Sequence, residues 1–151
     1  HVQVPDYEAD VCVAFAQGNI GKAVQLATSD SFNEIKNSAL HLLKNVSKME
    51  INDIIATVKS VSEFKIDIQD YLDFLAVWYR DILYFKATRD SNGLIFKDEL
   101  NVITDQINKS SYEGIENILR GLQTAKTRLN ANVNFDLTME LLFLLIKENL
   151  V

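Results

Sequence analysis

The chain has 151 residues, 48% of them hydrophobic and 24% charged, which gives room for one well-packed domain, alone or with a piece of a neighbour, and is too apolar for a disordered segment. A net charge of −6, with Lys and Arg scattered among acids and only the helix carrying Arg120, Lys126 and Arg128 locally basic, disfavours direct contact with DNA or RNA. The single cysteine, Cys12, excludes an internal disulfide or a multi-cysteine metal site, and with no signal peptide visible it points to a soluble cytoplasmic protein. The longest uncharged apolar run, 141–146, is far short of the ~20 residues that cross a bilayer, so no membrane association is expected.

From the N-terminus, Pro5 with Asp6 and Glu8 has the composition of a first helical turn. Val11, Ala14 and Phe15 supply an apolar face, and Gly18 and Asn19 stop this short helix. A second brief helix over 20–27 ends in the polar cluster 28–31, which sets a boundary near residue 30. Ser31 with Glu34 forms a capping-box pair ahead of Ile35, Ala39, Leu42, Leu43 and Val46, predicting a helix to about Met49. Asn52 or Asp53 then caps a helix with Ile54, Ile55, Val58, Val61 and Phe64 as its buried face.

Asp67, ahead of Asp70, opens the densest apolar stretch of the chain, a central helix over 71–86. Ile68, Leu72, Leu75, Tyr79, Ile82 and Phe85 recur at three- or four-residue steps, and Tyr71, Phe74 and Trp78 widen that face until little circumference is left for water. The polar run 88–93 ends this helix, and an apolar link, 94–96, follows. A modest helix over 98–109 comes next, with Leu100, Ile103 and Ile107 on one face. Ser110 with Glu113 caps an amphipathic helix carrying Ile115, Ile118, Leu119, Leu122, Ala125 and Leu129. Asn130 to Asn134 break the pattern with residues that tolerate turns. The last helix, 135–149, is apolar on nearly all sides between Leu141 and Ile146, as in a helix buried on several sides or shared with a partner. The expected fold class is all-α, a helical bundle.

Catalytic signatures are weak. Gly18, Gly21 and Lys22 have the look of a phosphate-binding loop, but the glycines are too close together, Ala23 stands where a metal-binding hydroxyl belongs, and a helix rather than a strand precedes them. A helix-turn-helix corner with Gly18 at the cap accounts for the same residues. His41 has no second ligand at helical spacing, and Cys12, flanked by valines with no nearby His, suits a buried thiol. Asp67, Asp70 and Asp73 cluster, but first-turn carboxylates favour a helix N-terminus without any catalysis. Asp73 and Arg80 share a narrow polar stripe that is solvated or faces a partner. Trp78 and its aromatic neighbours lack the basic groove that accompanies base stacking, so core packing is expected, with a subunit interface second.

Three stretches, in order through the chain, resemble one family: Phe15 to Leu26 with its turn at Gly18, Asn19, Gly21 and Lys22; Trp78-Tyr-Arg-Asp-Ile-Leu83; and Arg128 to Leu142, with Arg128, Asn132, Asn134, Leu137 and Glu140 in register. The family is that of the delta-prime subunit of bacterial DNA polymerase III, in its C-terminal part, a member of the clamp-loader complex. The resemblance implies a remnant of an AAA+ lid over 1–30 and a helical collar, or oligomerisation, domain over 31–151. It also implies partners, the gamma/tau ATPase and delta subunits, with the sliding clamp and primer-template DNA reached only through the whole complex. No cofactor, metal or catalytic residue is implied for this piece. Aligning the glycine turn puts Gly21 where related ATPase subunits carry the arginine that senses nucleotide phosphate, with Lys22 one residue too late. Trp78, Arg80, Asp81, Arg128, Asn132, Asn134 and Glu140 become the collar-motif and interface candidates.

The leading expectation is therefore a non-enzymatic assembly module. Three others compete: the collar of another loader subunit (delta or gamma/tau), a magnesium enzyme built on Asp67, Asp70 and Asp73, and a generic self-associating helical adaptor.

Overall fold

The computed structural model describes residues 30–150. The helices expected over 1–17 and 20–27, Cys12, and the turn residues Gly18, Asn19, Gly21 and Lys22 lie outside them. Every regular element among the described residues is helical. We number the α-helices α1 (Asp30–Asn45), α2 (Ile51–Val61), α3 (Ile68–Thr88), α4 (Leu100–Lys109), α5 (Tyr112–Asn130) and α6 (Phe135–Glu148).

The central position of α3 follows from its sequence. With apolar side chains over most of its circumference, it packs against α1, α4 and α5, while α6 packs against α5 and α2. Trp78, Tyr71, Tyr79, Phe74, Leu72, Leu75 and Ile82 are completely enclosed. Such wide burial of large side chains is the main stabilising contribution of this helix, at about 25 cal/mol for each Å² of apolar surface removed from water. The faces expected for α1, α4 and α5 are likewise turned inward: Ile35, Ala39, Leu42 and Leu43 on α1, Ile103 and Ile107 on α4, and Ile115, Ile118, Leu122 and Ala125 on α5.

Helix starts differ from the sequence expectation, because capping depends on which residue stands one place outside the first turn, and near-equivalent polar residues sit side by side. Asp30 and Ser31 already belong to α1, so Ser31 is not its cap. Glu50, not Asn52 or Asp53, precedes α2, and Asp53 instead accepts the Glu50 backbone N–H at 2.9 Å from the third position of the helix. Ser111, not Ser110, caps α5, accepting the Gly114 N–H at 2.9 Å, while Ser110 donates to the Gln106 carbonyl at 2.7 Å. Asp67 does precede α3, but its side chain makes no capping hydrogen bond. Ile55, expected to be buried, is 49% exposed.

The turn between α5 and α6 shows how the sequence reverses the chain. Asn132 takes the left-handed conformation (φ 59°) that short polar side chains tolerate. Around it, Val133 N–H donates to the Arg128 carbonyl and Asn132 N–H to the Leu129 carbonyl, a Schellman arrangement that satisfies the last carbonyls of α5. Asn134 then caps α6, its Oδ1 accepting the Leu137 N–H at 2.9 Å.

Candidate functional site

Polar groups in the interior serve to tie the helices together. Trp78 Nε1 donates to Gln106 Oε1 at 3.0 Å, and Gln106 Nε2 donates to the Leu43 carbonyl at 2.8 Å, near the end of α1 where helix carbonyls run out of intrahelical donors. One buried amide thus joins α3, α4 and α1. Nearer the surface, Lys126 of α5 forms an ion pair with Asp73 of α3, Lys147 of α6 donates to the Met49 carbonyl, and Lys86 Nζ donates to the Ile107 carbonyl at 2.9 Å.

The second tie holds the link between α3 and α4. Phe96 inserts between Phe74 and Trp78, with ring centroids 5.1 and 5.3 Å away. Beside it, Asp81 Oδ2 accepts the backbone N–H groups of Ile95 (2.9 Å) and Phe96 (2.8 Å). Phe74, Trp78 and Asp81 lie at i, i+4 and i+7, one face of α3, so a single helical stripe supplies both the aromatic slot and the acceptor. Desolvation raises the Asp81 carboxyl above its ordinary value, and the two backbone donors oppose that shift.

The motif residues named from the sequence therefore fall into two separate places. Trp78 and Asp81 are enclosed at the 94–96 link, while Arg80 between them is exposed. Arg128, Asn132 and Asn134 meet at the α5–α6 turn, where Asn132 and Asn134 shape the backbone and the Arg128 side chain is exposed; Glu140 is half-buried on α6. Gln106 and Phe96 escaped the sequence reading. Gln106 did leave a signal, a polar residue set between Ile103 and Ile107 on the one apolar face of a short helix.

Nothing in this arrangement assembles a reaction centre. Among the described residues no three His, Cys, Asp or Glu side chains converge to hold a metal ion, and Asp73 of the three-aspartate cluster is paired with Lys126. His41 is exposed, and Trp78 is fully enclosed and so offers no face to a base. A cavity of about 440 Å³ near the α5–α6 turn is lined by Ile68, Leu129, Val133 and Phe135 with Asn132, Asn134 and Lys65, and holds no acid or base besides the lysine. No helix among the described residues is long and apolar enough to cross a membrane. What α6 offers instead is apolar surface: Leu137 and Leu141 are 53% and 47% exposed, while α2, packed against it, leaves Ile51 and Ile55 uncovered one turn apart.

No solved structure matches the chain. It is 26% identical over 133 residues to DNA polymerase III subunit delta' of Bacillus subtilis (strain 168), an alignment that takes in 86% of this chain and 40% of that protein, so the chain spans about two fifths of the relative's length. The family model described as DNA polymerase III, delta subunit, C terminal, matches residues 39–148, which run from within α1 to the last residue of α6. A match over that much of the folded bundle places the chain in a family: it belongs to the C-terminal domains of the DNA polymerase III delta subunit.

Proposed function

We propose that residues 31–151 are a non-catalytic assembly domain, the collar, of a delta-prime-like subunit of a bacterial clamp loader. On this reading residues 1–30 are the end of an AAA+ lid. The domain packs with the gamma/tau ATPase and delta subunits in the cytoplasm and so holds a ring of AAA+ modules that loads the sliding clamp. The observation that carries this reading is family membership over residues 39–148, supported by the use of the buried groups Gln106 and Asp81 to hold the fold together and by the exposed apolar side chains of Leu137 and Leu141 on α6 and Ile51 and Ile55 on α2. The acidic balance of −6 supports contact with DNA through the complex rather than by this domain alone. Gly21 at the position of the sensing arginine supports a delta-prime-like subunit that does not itself hydrolyse ATP.

A second reading has its own support. The matching family model is described as the delta subunit, whereas the curated relative is described as delta'. Reconstitution separates them. The natural full-length protein is added to purified loader subunits from which either delta-prime or delta has been left out. Completion of the mixture lacking delta-prime supports the first reading, completion of the mixture lacking delta supports the second, and failure in both defeats the assembly role.

A further inference from the structure

On one side of their hairpin α5 and α6 part to form a groove of about 280 Å³, lined by Gly121, Thr124 and Ala125 on α5 and by Thr138, Leu141 and Leu145 on α6, with Arg128 at its edge. The α5 wall is built from small residues. A Cβ on Gly121 would stand 2.2 Å from Leu145 Cδ2, so it is the bare backbone there that lets Leu145 lie across α5. Leu137, Leu141 and Leu145 follow at four-residue steps, a ridge running down α6 at about 5–6 Å intervals. Two polar groups of the groove have no protein partner among the described residues. The buried Thr138 Oγ1 has no hydrogen-bond partner, and Arg128 takes part in no ion pair.

A leucine ridge beside a wall of small residues is the shape into which a second helix packs: Leu145 already fills the space over Gly121, and a visitor's side chains would seat over Thr124 beside Leu141. The uncompensated guanidinium at the rim selects the charge of the visitor, because a carboxylate meeting Arg in partly desolvated surroundings forms a strong, oriented pair and a cation there is repelled. We infer that this groove seats a single amphipathic helix of a neighbouring loader subunit, apolar at i, i+4 and i+7 and bearing an Asp or Glu that meets Arg128. The inference rests on the assembly reading above and assigns the surface and the chemistry of its partner.

The test uses the natural full-length protein in the reconstituted loader, with Leu141→Glu, Arg128→Glu and, as a control on exposed surface away from the groove, Ile66→Glu. All three side chains are exposed, so thermal melting is expected to match wild type and to show that the variants are folded. Leu141→Glu, which sets a charge in the middle of the ridge, and Arg128→Glu, which sets a carboxylate against the partner's own, are each expected to weaken entry into the complex by about tenfold or more, with Ile66→Glu entering as wild type does. Wild-type assembly by both groove variants would overturn the groove while leaving the assembly reading intact. Loss with Leu141→Glu but not Arg128→Glu would overturn the acidic partner. If wild type fails to enter any loader mixture, the assembly reading itself falls. A wild-type homodimer in light scattering that Leu141→Glu dissociates would replace the neighbouring subunit with a second copy of this chain.

Discussion

Helices α3 and α6 are both rich in large apolar residues, and the bundle treats them differently. On α3 almost every large side chain is enclosed, because α1, α4 and α5 cover it and Phe96 from the following link fills the remaining slot. On α6, α5 and α2 cover Met139, Leu142, Phe143 and Ile146, while Leu137 and Leu141 stay about half exposed. The same composition thus builds a core in one helix and an uncovered ridge in the other. The difference lies in how many neighbours are present, not in the helix.

The largest expected effect sets the two helices directly against each other. Trp78→Ala removes an enclosed indole and leaves Gln106 Oε1 without its donor, so a loss of about 3–5 kcal/mol is expected in chemical denaturation. Leu141→Ala, on the open ridge, should cost less than about 1 kcal/mol. Comparable losses would mean that α6 is as fully covered in the isolated chain as α3 is, and the contrast would fail.

A smaller effect tests how the link is held. Asp81→Ala strands the N–H groups of Ile95 and Phe96 and should destabilise by about 2–4 kcal/mol. Asp81→Asn keeps an acceptor oxygen and sheds a charge that burial disfavours, so it should cost less than half as much. The direction of the shift supplies a second check. A carboxyl raised above its unfolded value binds its proton more tightly in the native state, so its contribution to stability declines as pH rises from about 3.8 through the folded value and is level above that. Equal losses for the Ala and Asn variants would show that packing, not hydrogen bonding, fixes the link.

The smallest effect concerns α3 alone. Tyr71 and Tyr79 have enclosed hydroxyls with no hydrogen-bond partner among the described residues, and burial pushes both phenols well above the usual tyrosine range. Because the unfolded chain ionises first, the native state should lose stability as pH climbs past 10.0, by about 1.4 kcal/mol per pH unit for each tyrosine. Tyr79→Phe should be neutral or stabilising by about 1 kcal/mol at pH 7 and should halve this alkaline slope. Denaturation at pH 7 and pH 11 checks both. A destabilised Tyr79→Phe would reveal a partner for the hydroxyl and sharpen the view of α3 as more than dry packing.

The sequence by itself determined the helical class, the six helices within the described residues and most of their buried faces, because a 3.6-residue apolar period is a local property that survives in any helical packing. It also determined the α5–α6 turn, since Asn132 and Asn134 act through their own backbone and the nearest amides. Tertiary structure decided what depends on residues far apart in the chain. The joining of Trp78 to Gln106 across 28 positions and of Gln106 to Leu43 across 63, and the turning inward of Asp81 while its neighbour Arg80 faces water, come from how the helices meet. The same holds for the leucines of α6, whose exposure no local pattern records: a side chain is buried only where another element arrives to cover it, and no described element closes over Leu137 and Leu141.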